Sequence, residues 1–106
     1  MPDKAIVKEH IDEIEAEMKR INMCRDKPLP PEAYNFHRAF AMDTMPFAHW
    51  LQFILIPRVN QVLTSDEPFP QRSMVGAQAV REFDGDDEAS ALVSMLSSFD
   101  RLIEQG

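Results

Sequence analysis

Met42-Asp43-Thr44-Met45-Pro46-Phe47-Ala48-His49-Trp50-Leu51-Gln52-Phe53-Ile54-Leu55-Ile56-Pro57-Arg58 is the stretch on which the reading of this chain turns. It combines a helix-start signal, the sole tryptophan, a nearly unbroken apolar run and a proline in mid-pattern. Asp43 or Thr44 is expected to cap the orphan N–H groups of a helix. Pro46 suits a first turn because its nitrogen needs no hydrogen. The helix is expected to continue to residue 63. Phe47, Trp50, Leu51, Ile54, Leu55, Val59, Val62 and Leu63 cover most of its circumference, so it belongs in the centre of a helical domain. Pro57 removes the hydrogen bond to the carbonyl of Phe53, which predicts a kink.

Working outward, residues 3–23 read as an amphipathic helix. Val7, Ile11, Ile14, Met18 and Ile21 recur at spacings of four, three, four and three, which places them on one stripe. Lys19 and Arg20 lie near its C-terminal end, where cations suit the helix dipole. The stripe is short for a coiled coil, so a bundle helix is the reading. Pro28-Leu29-Pro30-Pro31 then breaks the chain. Residues 32–42 form a long connection, with a short helical turn after Pro31. Tyr34, Phe36 and Phe40 are expected to pack it against the core.

On the other side, residues 65–72 read as a loop in which Pro68 and Pro70 flank Phe69. Residues 73–83 read as a shorter helix with Met74, Ala77, Val80 and Arg81 phased together, weakened by Gly76. Asp84-Gly85-Asp86 punctuates. Asp86 or Asp87 is expected to cap a last helix to residue 105, with Leu92, Val93, Leu96, Phe99, Leu102 and Ile103 as its buried face. No β-alternation persists. The expected fold is all-α: a four-helix, up-and-down bundle with proline-rich connecting loops, one domain over residues 1–106.

Eleven basic residues are outnumbered by eighteen acidic ones, for a net charge of −7. Phosphate backbones and anionic membrane surfaces need clustered lysine and arginine. Direct nucleic-acid binding and membrane binding are therefore disfavoured, and a basic protein partner is favoured. Cys24 is the one cysteine, so the chain forms no internal disulfide. Met-Pro-Asp-Lys opens without a signal-peptide pattern. The apolar run of residues 50–56 is too short to span a bilayer. A cytoplasmic location is expected.

Each chemistry-bearing group has a structural explanation beside the functional one. Trp50, Phe53 and Pro57 fit a ligand groove opened by a kink, or a core whose indole N–H finds a carbonyl. Gln52 and Arg58 need partners within so apolar a helix; Arg58 suits an anion site or an acidic partner. Trp50, Gln52, Phe53 and Arg58 are thus the candidate ligand or partner surface, and Asp43 and Thr44 the structural caps. His10, His37 and His49 lack metal-ligand spacing. Asp84, Asp86, Asp87 and Glu88 lack the order of a calcium loop and suit a helix N-terminus. Cys24 has no activating neighbour pattern. Met42, Met45, Met74 and Met95 fill a core or form an adaptable surface. No catalytic set, metal or cofactor is expected.

The words Met42-Asp43-Thr44-Met45, Trp50-Leu51-Gln52 and Ile56-Pro57-Arg58, at fixed spacing, resemble the YqcC-like family of small bacterial proteins. The resemblance extends more loosely over the whole chain. It implies a helical bundle of unknown molecular function, whose gene tends to lie beside that of a tRNA pseudouridine synthase. The name tRNA pseudouridine synthase C has become attached to the family through that neighbourhood. Such a synthase needs a mixed α/β domain with a nucleophilic aspartate in a basic cleft. This chain is short, acidic and without convincing strands, so it is not expected to be that enzyme.

Three readings follow. The first is a non-catalytic interaction or accessory protein with a protein partner or a second copy of itself. The second is an accessory to tRNA pseudouridine modification that binds a neighbouring synthase. The third is a small-molecule binder in a groove beside the kinked second helix.

Overall fold

The computed structural model describes residues 2–105. Asp3, in extended backbone, starts the first helix: its carboxylate accepts the Ala5 N–H at 2.8 Å. Helix α1 spans Lys4–Arg20 and buries Val7, Ile11, Ile14 and Met18 of the expected stripe, while Ile21, its last member, lies past the helix end and is half-buried. Glu17 is buried with them, and the Arg20 guanidinium grips its carboxylate at 2.8 and 2.6 Å. Asn22 then adopts φ 59°, a left-handed stop that asparagine tolerates.

The connection to the second helix holds two short 3-10 turns, Pro31–Tyr34 and Ala39–Ala41. Leu29, Ala33, Ala41 and Met45 form a small apolar cluster of their own against Trp50, Phe53 and Ile54. Phe40 packs as expected, its ring 4.9 Å from Trp50 and 5.8 Å from Phe47 in edge-on geometry. Tyr34 and Phe36 do not: they are 47% and 38% exposed. Leu29 and Ala33 take the inward positions, and the rings that follow are left on the surface.

The second helix begins at Phe47, with Pro46 at the cap position and no side-chain cap. Asp43 and Thr44 therefore do not cap it. Both serve the preceding turn instead. Asp43 accepts the N–H groups of His37 and Arg38 at 2.9 and 3.3 Å, and the Thr44 hydroxyl donates to the Ala33 carbonyl at 2.7 Å. Short polar side chains satisfy whichever nearby backbone group the chain path presents first, and here that path is a turn.

The same rod comprises α2 (Phe47–Trp50), a π-helical turn (Leu51–Leu55) and α3 (Ile56–Leu63). Ile56 donates its N–H to Leu51, five residues back. Pro57 cannot donate, and its ring would crowd the Phe53 carbonyl in regular α geometry. One wider turn before it absorbs the mismatch without ending the helix.

Helix α4 spans Val75–Glu82 and α5 spans Ser90–Gln105. Gly85, at φ 80°, turns the chain between them, and Asp86 accepts the Glu88 N–H at the head of the short turn that leads into α5. The face expected for α4 is wrong. Met74 and Val80 are 65% and 54% exposed, Ala77 and Arg81 are exposed with them, and Val75, Gly76 and Ala79 are buried. Gly76 decides the matter. A Cβ there would sit 2.5 Å from Ser97 Cα, so the glycine marks where α5 backbone approaches and does not simply weaken the helix.

Lys4 reaches the carbonyl of Ser65 at 2.9 Å, while Gln52 meets Arg25 beyond the far end of α1. The α2–α3 rod thus runs antiparallel to α1. Phe83, after α4, returns to within 5.7 Å of Phe47, and the residues opening α4 meet Asp100 late in α5. The fold is a four-helix, up-and-down all-α arrangement, with no strand among the described residues. Ile11, Ile14, Met18, Leu51, Leu92 and Leu96 are fully buried at its centre. Each contributes about 1.5–3 kcal/mol by leaving water.

Candidate functional site

The polar residues of the central helix take different roles. Gln52 clamps the backbone of Arg25: its Oε1 accepts the Arg25 N–H and its Nε2 donates to the Arg25 carbonyl, each at 2.9 Å. This tie holds the chain leaving α1 against the π turn. Arg58 is exposed and makes no ion pair among the described residues.

The aromatic candidates separate as well. Trp50 is half-buried, stacked on Phe47 with ring centres 5.7 Å apart, and belongs to the packing between the two apolar clusters. Its indole N–H has no protein acceptor among the described residues. Phe53 faces a shallow depression of about 280 Å³, which it shares with Tyr34, Phe36, Ile54, Pro57 and Arg58. Trp50 and Gln52 therefore do not line a common groove with Phe53 and Arg58. One residue per position turns a helix by about 100°, so neighbours in sequence face different ways.

A second concavity lies between α3, the residue 64–74 connection and α5. It has a volume of about 230 Å³ and walls that include Leu55, Val59, Phe69, Val75, Phe99 and Ile103, with Arg58 and Arg72 also at its edge. Residue patterning missed it, because its walls come from four segments. The one local signal was Phe69 between two prolines.

Other titratable groups are structural in setting. Backbone N–H groups, that of His37 foremost, hold the Asp43 carboxyl below its ordinary range. Burial, with Arg25 adding to it, holds His49 below the usual histidine range. Burial pushes the half-buried Cys24 thiol up, away from reactivity. Among the described residues no three histidine, cysteine or acidic side chains come together to hold a metal. No described helix is long and apolar enough to cross a membrane. Two concavities thus adjoin Arg58: the aromatic depression and the apolar cavity that Arg72 also borders.

Similarity to known proteins follows the fold. The solution structure of YqcC from Escherichia coli superposes with a TM-score of 0.86 at 26% identity, over 98% of this chain and 90% of that one. An uncharacterised protein of Haemophilus influenzae is 28% identical over 90% of both chains. The E. coli protein YqcC, itself uncharacterised, is 33% identical over 60% of this chain and 59% of its own length. A protein of Pectobacterium carotovorum named tRNA pseudouridine synthase C is 29% identical over 61% of this chain, which spans 17% of that longer protein. A model of the family described as tRNA pseudouridine synthase C matches residues 6–102. Matched over nearly its whole length and sharing the YqcC fold, the chain belongs to this YqcC-like family.

Proposed function

We propose that the protein is a non-catalytic helical interaction module that works by binding a protein partner. The observation that carries this reading is the exposed aromatic depression. Tyr34 and Phe36 stand 47% and 38% exposed beside Phe53, Pro57 and Arg58. Tyrosine and arginine around an apolar floor are the residue types that dominate protein–protein hot spots, and clustered apolar exposure marks such surfaces. The net charge of −7 steers a partner with a basic surface toward the chain. A second copy of the chain is the competing occupant, visible as a solution mass of twice 12.2 kDa.

A second reading names the partner: an accessory to tRNA pseudouridine modification that binds a pseudouridine synthase. It is favoured by the Pectobacterium protein of that name, in which a stretch similar to this chain lies within a much longer polypeptide. Joining two modules in one chain replaces an encounter by a high effective concentration, which is useful when the modules act together.

The test is a binding titration of the purified chain against a separately purified tRNA pseudouridine synthase from the same organism, at low and moderate salt. Saturable binding that Tyr34→Ala and Phe36→Ala together weaken about tenfold or more supports both readings. Absence of binding at low salt removes the synthase as partner. Pseudouridine formation by the isolated chain on tRNA would overturn the non-catalytic reading.

A further inference from the structure

Arg58 stands between two concavities of different character. On one side is the shallow aromatic depression. On the other is the cavity of about 230 Å³, walled by Leu55, Val59, Phe69, Val75, Phe99 and Ile103. All six of these side chains are buried core residues, so the walls are as fixed as the core itself. Polar atoms are scarce inside. The Ser73 hydroxyl, which borders the cavity, already donates to Asp100. A water there would lack the two to four partners it needs, so the space suits apolar groups.

The edge has the opposite chemistry. Arg58 and Arg72 are both exposed, and among the described residues neither side chain makes an ion pair or a hydrogen bond. Asp100, an acid close by, is committed to the N-terminus of α4. Two arginines without an acidic partner bordering one apolar cavity are conspicuous in a chain of net charge −7. Arginine's fork matches a carboxylate, and such a head group would lie at the mouth while its tail leaves water. Met74 and Pro70, exposed at the same edge, leave an entry path.

We propose that this cavity binds a small amphipathic anion, with an apolar tail inside and a carboxylate between Arg58 and Arg72. A dry cavity of about 150 Å³ accepts benzene, so by proportion this one takes a tail of roughly nine non-hydrogen atoms. That length corresponds to an alkanoate in the range of octanoate to decanoate.

The experiment titrates the full chain with butanoate, hexanoate and octanoate, and with 1-octanol and octylammonium, followed by amide and methyl NMR shifts and by calorimetry. Octanoate is expected to bind with one-to-one stoichiometry and to shift signals of Val59, Phe69, Val75 and Ile103. Affinity should rise roughly fourfold per methylene from butanoate to octanoate. Arg58→Ala and Arg72→Ala, both surface changes that leave the walls intact, should each weaken octanoate about two- to fivefold while leaving 1-octanol unaffected. Octylammonium should bind less tightly than octanoate. Shifts scattered over the surface, no saturation at millimolar octanoate, or equal binding of octanoate and octylammonium would overturn the proposal. Val59→Phe supplies a further arm: a folded variant that still binds octanoate as the parent does also overturns it.

Discussion

Asp100 Oδ2 accepts the backbone N–H of Gly76 at 2.7 Å, across the interface between α5 and α4. The other oxygen of the same carboxylate accepts the Val75 N–H at 3.0 Å and the Ser73 hydroxyl. Helix α4 has no capping side chain of its own, so its orphan donors are satisfied from a neighbouring helix. Asp100→Ala is expected to destabilise the protein by about 1–2 kcal/mol, the range of a lost N-cap. Urea unfolding should show a lower midpoint with an unchanged slope. An unchanged midpoint would mean that the cap contributes nothing.

Gly76 has a second constraint in the same contact. Alanine would favour an isolated helix by about 1 kcal/mol. Here its Cβ would meet Ser97 Cα and N at 2.5 and 2.6 Å, both backbone atoms that cannot rotate away. Gly76→Ala should therefore destabilise by about 1–3 kcal/mol, the cost of overpacking. Ser97→Gly in the same chain should not restore stability, since the backbone contacts remain. Stabilisation by Gly76→Ala would show that the two helices separate easily.

The tie between Gln52 and Arg25 is solvent-accessible, so water replaces much of what a mutation removes. Gln52→Ala should cost about 1 kcal/mol in total. The sharper readout is local. Amide exchange at Arg25 should quicken well beyond the change in global stability, because the chain after α1 loses its anchor. Proportional change at every amide would argue against a local clamp.

Acid should act through two carboxyls held below their ordinary range in the folded protein. For Asp43 the chief cause is the His37 N–H; for Glu17 it is the bond from the Arg20 side chain. A depressed folded pKa contributes stability that is fully present above the unfolded value, about 3.9 for aspartate and 4.3 for glutamate. That contribution is lost as pH falls through the lower folded value. Stability should thus decline on acidification below about pH 4, and Asp43→Asn should reduce the steepness of that decline. An identical acid profile for the variant would remove Asp43 from the explanation.

Much of the fold was legible residue by residue. Val7, Ile11, Ile14 and Met18 of the first stripe and Leu92, Leu96, Phe99 and Ile103 of the last helix's face are buried where periodicity placed them, with Ile21, Val93 and Leu102 half-buried at the margins. Asp86 heads the turn into the last helix, as its position before that helix suggested. The candidate site was less legible. Phe53 and Arg58 share one depression, but Trp50 joined the packing between clusters and Gln52 joined a backbone tie. Asp43 and Thr44 went to a turn that leaves Phe40 and Ala41 at φ 58° and 52°, a path that no local pattern announced.

The amino-acid sequence by itself determined which segments are helical and which faces of the two long helices are buried, because those follow from spacing within a single segment. It determined the acidic balance and, through its central motif, the family. Only the tertiary structure decided which face of α4 docks, since Met74 and Val80 offered the more apolar stripe and lost to the close approach that Gly76 allows. It also decided that Asp100 caps a helix other than its own, and that Arg58 and Arg72 both border one cavity. These relations join residues 14–27 positions apart. No period within one helix encodes them; they exist only once the helices pack.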